Sequence, residues 1–199
     1  TGGVEITLGK DVIRTSADDA IGFIKKTMSC DVMNIKKIRV DKEGAGMGWG
    51  AVYAQYLESM DQISGQGNGL SVSRQLYKGD EALNESAPLK VGDKITVRLT
   101  VKADRDMDFV QIKDDRAACM EPLQAVSGFC WSNGLGYYQA TKDASTLFFI
   151  DQMRKGTYVI EYQVYVNRTG EYQVGIATVQ SAYAPEFGGH TGGYRVMVE

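Results

Sequence analysis

Apolar residues fall at alternate positions along two long stretches of the chain. In the first, Ile95, Val97, Leu99 and Val101 alternate with Lys94, Thr96, Arg98, Thr100 and Lys102. In the second, Tyr158, Ile160, Tyr162, Val164 and Val166 repeat the pattern. A period of two places successive side chains on opposite faces of an extended chain, so each stretch predicts a strand with one buried and one wetted face. A slip of one residue would expose the whole apolar set, which ties the register to the core. Val91-Gly92-Asp93-Lys94 supplies a turn ahead of the first strand. The aspartate-rich residues 103–108 mark a reversal, and Val110 and Ile112 begin a returning strand, which together read as a strand pair.

Shorter patterns fill the rest. Val4, Ile6 and Leu8 alternate before Gly9-Lys10-Asp11, a hairpin-like turn with residues 12–15 as partner strand. Residues 23–27, 35–40 and 49–57 (WGAVYAQYL) read as further strands, the last apolar on both sides and therefore central. The polar run Ser64-Gly65-Gln66-Gly67-Asn68-Gly69 is flexible in composition and is the best boundary in the chain. Beyond it, residues 70–77, 146–151, 171–180 and 194–198 read as strands. Residues 126–138 (VSGFCWSNGLGYY) read as a glycine- and aromatic-rich loop packed by Phe129, Trp131 and Tyr137. Short strands punctuated by turns every 8–12 residues or so, with almost no helix, predict an all-β sandwich.

With 199 residues the chain has room for one large or two small domains, and 43% hydrophobic content suffices for a core. A net charge of −3 argues against nucleic acid as a partner, which calls for a basic face. The sequence holds no apolar run long enough for a transmembrane helix. It begins at Thr1 without a signal-peptide pattern and reads as a piece of a longer protein, so its start carries no information on compartment.

Candidate chemistry is sparse. Cys30, Cys119 and Cys130 form no CxxC pair; they read as buried small apolar residues, with a Cys119–Cys130 bridge left open. His190 is the one histidine, which argues against zinc. Asp104, Asp106 and Asp108 have the 1-3-5 spacing of a calcium loop. Phe109 stands where that loop needs glycine, however, and a solvated charged turn fits better. Residues 44–50 and 65–69 are glycine-rich without a phosphate-loop or dinucleotide spacing, and no GxSxG accompanies His190. Asn84-Glu85-Ser86 and Asn167-Arg168-Thr169 match the glycosylation sequon, which arises readily by chance.

The sequence LKVGDKITVRLTVKADRDMDFVQIKDDRAACMEP (residues 89–122), followed by FFIDQMRKGTYVIEYQVYVNRTGEYQVGIATVQSAYAPEFGGHTGG (residues 148–193), resembles the C-terminal domain of bacterial alpha-macroglobulins. WGAVYAQYLESMDQI (residues 49–63) resembles the segment between the thioester domain and that final domain. The resemblance implies a macroglobulin-type, immunoglobulin-like or receptor-binding-like sandwich over 68–199. Ahead of it, residues 1–67 would be the C-terminal part of a CUB-like β domain. It implies a periplasmic or cell-envelope protease inhibitor that rearranges when a bait region is cut. The implied partners are upstream thioester and macroglobulin domains of the same chain and, through the full-length protein, target proteases.

The family's thioester motif is Cys-x-Glu-Gln, and none of the three cysteines begins one. The expectation is therefore a non-catalytic scaffold, not an enzyme, with no catalytic, cofactor-binding or metal-binding residues of its own. Two rivals remain. One is an extracellular glycan- or surface-binding module resting on Trp131, Tyr137 and Tyr138. The other is an enzyme built around His190.

Overall fold

The computed structural model describes residues 3–8, 10–14, 25–28, 37–53, 55, 57–84 and 87–199. It splits into two compact units, Thr1–Leu57 and Glu58–Glu199. In the first, β1 (Val4–Leu8) pairs antiparallel with β2 (Asp11–Arg14) and β3 (Ile38–Lys42). Ile6 stands level with Ile13 on one side and Val40 on the other, as the alternation at Val4, Ile6 and Leu8 requires. The expected strand over 49–57 is not formed by its described residues, and Trp49, Val52, Tyr53 and Leu57 are exposed. Apolar composition does not make a strand where no ladder takes up the backbone N–H and C=O groups. The strand expected at 23–27 lies partly outside the described residues, and 25–27 carry none.

The second unit is built almost wholly of strands. In order they are β4 (Gln66–Asn68), β5 (Leu70–Lys78), β6 (Glu81–Ala82), β7 (Lys94–Ala103), β8 (Met107–Asp115), β9 (Met120–Pro122) and β10 (Gly128–Ser132). There follow β11 (Leu135–Thr141), β12 (Ser145–Met153), β13 (Gly156–Val166), β14 (Gly170–Val174), β15 (Ala177–Ser181), β16 (Gly188–His190) and β17 (Tyr194–Val198). Hydrogen bonding links them in the order β10-β11-β12-β8-β15-β16-β4-β5-β7-β13-β9, with β6 on β5. The ribbon folds back on itself. Short β16 and β4 carry it from one layer, β10 through β15, to a second made of β5, β7, β13 and β9. Side chains of the two layers meet: the rings of Phe148 on β12 and Tyr162 on β13 lie 5.8 Å apart. Strands β14 and β17 pair separately, and Leu89, in the loop before β7, forms a parallel bridge to Val198 of β17.

The inward positions of β7 and β13 fill the core as their alternation demands: Ile95, Leu99, Val101, Ile160 and Val164 are fully buried. Three local expectations are corrected. First, β7 and β8 do not pair. β7 is flanked by β5 and β13, and β8 by β12 and β15, so residues 103–108 arch between layers. Second, the run at 64–69 is built into the sheet, because β4 pairs with both β16 and β5. Third, residues 128–141 are not a loop but the hairpin β10–β11, reversed by Asn133 (φ 50) and Gly134 (φ 80). Paired positive φ at Asn-Gly is the type I′ geometry whose twist matches the flanking strands.

Candidate functional site

The densest polar arrangement in the second unit lies between the two layers. On β5 the inward phase runs Leu70, Val72, Arg74, Leu76, and on β8 it runs Val110, Ile112, Asp114. Each strand thus places one charge where its neighbours are apolar. The charges meet: Arg74 Nη1 donates to Asp114 Oδ1 at 2.5 Å, with side chains 2% and 1% exposed. Tyr162 on β13 donates its hydroxyl to Asp114 Oδ2 at 2.7 Å. Arg74 also donates to the carbonyl oxygens of Asp115 and Gly175. One carboxylate therefore binds three strands across the core.

Burial pushes the Asp114 carboxyl up, against the opposing pull of Arg74 and of the Tyr162 hydroxyl. Burial pulls the Arg74 guanidinium down, but the Asp114 carboxylate, together with Tyr194 and Tyr162, outweighs it and leaves that group raised. The pair is ionised, since guanidinium does not deprotonate in proteins and a neutral Asp114 would leave it uncompensated. Burial, reinforced by Asp114, holds the Tyr162 phenol well above its ordinary range. A charge pair this deep ties the layers together, with Arg74 Nε alone of its polar atoms buried without a hydrogen-bond partner among the described residues.

A second buried cation closes the β8 end. Arg116 donates to Thr146 Oγ1 at 2.6 Å and to the backbone oxygens of Lys142 and Asp143. It fastens the turn before β12 to the chain leaving β8.

The residues singled out from sequence do not converge. Asp104 is bonded by the adjacent Arg105, and Asp106 by Arg154 and the Lys155 amide, so these carboxylates fasten the arch and the turn before β13. His190 sits on β16 with Nδ1 donating to the Thr191 carbonyl at 3.1 Å. Cys119 and Cys130 are both free thiols, the first buried and the second half-buried; Cys30 lies outside the described residues. The aromatic trio separates: Tyr137 is buried against Phe148 with centroids 5.7 Å apart, while Tyr138 packs edge-on to Phe129 on the outer face. Trp131 is 77% exposed. Asn167 is bonded to Glu121.

Among the described residues, no helix is long and apolar enough to cross a membrane.

Comparison with known proteins adds the following. A family profile described as the bacterial alpha-2-macroglobulin MG10 domain matches residues 69–186, more than half of the chain. Circularly permutated Ras protein 2 of Dictyostelium discoideum is 26% identical over 170 residues, covering 80% of this chain and 4% of that protein. Salmonella alpha-2-macroglobulin reacted with methylamine superposes with a TM-score of 0.58 at 18% identity, over 98% of this chain and 13% of that one. Native Escherichia coli alpha-2-macroglobulin, from domain MG7 to the C-terminus, gives a TM-score of 0.58 at 13% identity, over 99% and 33%. At such identities the structural likeness speaks to the fold. The chain spans a third or less of each protein it matches here. The profile match over the sandwich settles its membership: the chain belongs to the bacterial alpha-2-macroglobulin MG10 domain family.

Proposed function

We propose that this chain is the non-catalytic C-terminal scaffold of a larger bacterial protein that traps proteases by changing conformation. In this reading the unit Glu58–Glu199 is the macroglobulin-type sandwich, and the unit Thr1–Leu57 contributes the C-terminal part of a CUB-like β domain. The single observation that carries this reading is the family match over 69–186, which falls on a sandwich whose interior is spent on packing and on the Arg74–Asp114 pair. A body tied together in this way transmits force between neighbouring domains without deforming. Its partners are upstream thioester and macroglobulin domains of the same protein, through which proteases are engaged. Its compartment is the periplasm or cell envelope.

The test is inhibition by the full-length protein. Trypsin activity is followed on a large protein substrate, with wild-type protein and with a variant lacking residues 58–199. Inhibition by the wild type and its loss in the variant support the reading. Inhibition unchanged by the deletion, or proteolytic or hydrolytic activity in the 199-residue chain alone, overturns it.

A further inference from the structure

The outer face of the first layer carries a surface that the scaffold role does not use. The register Tyr138↔Phe149, continued by two residues, brings Gly136 on β11 level with Asp151 on β12. The register Ile150↔Val110 likewise brings Asp151 level with Phe109 on β8. With Trp131 opposite Gly136, one row runs Trp131, Gly136, Asp151, Phe109 across four strands. Three inter-strand steps make this row about 14 Å long. All four residues line one open groove of about 750 Å³.

Both ends of the row are held in unusual ways. A Cβ on Gly136 would come within 2.9 Å of the Trp131 ring, so the indole lies down over the glycine and turns its other face to solvent. Phe109 stands at φ 52, a region costly for a bulky side chain. The ladder omits the Phe109–Asp151 pair, the Phe109 carbonyl accepts from Ala182 N instead, and the ring packs edge-on to Tyr183 at 5.1 Å.

The polar rim of the groove is unspent. Asp108, Asp151 and Gln152 line it, and among the described residues their side chains have no hydrogen-bond or ion-pair partner. Arg154, also at the rim, is already paired with Asp106 at 3.0 Å. The groove therefore offers a flat indole, two carboxylates and an amide with open bonding capacity, and a cation already neutralised.

We propose that this groove binds a neutral carbohydrate, with a pyranose ring stacked on Trp131 and its hydroxyls donating to Asp151 and Asp108. Three features select this chemistry. The carboxylates with Arg154 occupied disfavour an acidic polymer. Trp131 and Phe109 stand at opposite ends of the row, so the rings form an open platform, not a cage around a cation. A strand added at the edge of β10 would meet Trp131 but not Asp151 and Phe109, which lie two and three strands further in. Flat apolar CH faces ringed by hydroxyls are what remains.

The test is titration calorimetry of the 199-residue chain with maltohexaose, cellohexaose and chitohexaose, set against a lysine-rich nonapeptide and a heparin-derived oligosaccharide. Saturable binding of at least one neutral oligosaccharide, with a Kd of about 0.1–1 mM, is expected. Trp131→Ala should weaken it at least tenfold or so while Trp131→Tyr retains it. Circular dichroism confirms that both variants fold, as the exposure of the ring predicts. The proposal is overturned if no neutral oligosaccharide binds at ~10 mM, if binding survives Trp131→Ala unchanged, or if the peptide or the acidic oligosaccharide binds more tightly. None of these outcomes bears on protease inhibition, so the two readings stand or fall separately.

Discussion

Arg74 and Asp114 lie on strands of opposite layers and meet at 2.5 Å in the middle of the sandwich, each almost wholly buried. Removing one partner of such a pair leaves the other charged and unpaired in a medium that solvates it poorly. Arg74→Met or Asp114→Leu alone should cost about 3–5 kcal/mol of unfolding free energy. The combined Arg74→Met/Asp114→Leu variant should recover much of that loss, since matched apolar replacements of buried pairs run from neutral to stabilising. Denaturant unfolding of the four proteins in the cycle measures the coupling directly. Additive losses would show that the contact does not join the layers energetically.

Tyr162 gives the sandwich an alkaline limit. Its phenol is held well above the ordinary value near 10 by burial first and by Asp114 second. A raised folded value means that stability is whole below pH ~10 and is lost as pH rises toward the folded value, because only the unfolded chain ionises there. Tyr162→Phe should flatten this alkaline slope. It should also cost about 1–2 kcal/mol near neutral pH, where Asp114 Oδ2 loses its donor. Unfolding midpoints at pH 8 through 11 check both effects.

Asp93 works in the opposite direction. Burial pushes its carboxyl up, but the Lys78 ammonium at 2.8 Å and the Lys90 amide outweigh this and leave it lowered. A lowered folded value contributes stability above the unfolded value that disappears as pH falls through the folded one. Asp93→Asn should therefore narrow the stability difference between pH 5 and pH 2. Acid titration of the variant against wild type, at low salt, reads this out.

Gly175 is confined from two directions. A Cβ there would come within 2.4 Å of Asp115 Cβ and 2.9 Å of its carbonyl, and the Gly175 carbonyl accepts from Arg74. Gly175→Ala should cost about 1–3 kcal/mol by forcing apart packed backbone, while Gly79→Ala, open to solvent but at φ 60, should cost only about 1 kcal/mol. Thermal unfolding of the two variants ranks them.

The faces of the long strands could be read directly, because a period of two reports which side chains turn inward. It does not report which strand lies alongside. Hence Val97 lies in the core as its alternation predicts, yet β7 and β8 occupy opposite layers and do not pair. The hairpin at Asn133-Gly134 carried the strongest short-range turn signal available. Across it Phe129 and Trp131 share the outer face with Tyr138 and Gly136, while Tyr137 lies opposite Cys130 and turns inward, so the three rings do not form one packed group. The interlayer pair also left a trace: Arg74 and Asp114 each occupy an apolar phase, and charges of opposite sign at inward positions have little choice but to find one another. The strand expected at 49–57 had composition in its favour and no ladder to join.

The most direct test of a rigid, non-catalytic scaffold is hydrogen exchange on the full-length protein before and after cleavage by trypsin. If the sandwich moves as one body, amides of β7 and β13 keep the same slow exchange in both states while protection changes in segments outside residues 58–199. Loss of protection at Leu99 and Ile160 upon cleavage would mean that the sandwich itself opens, and would contradict the scaffold role.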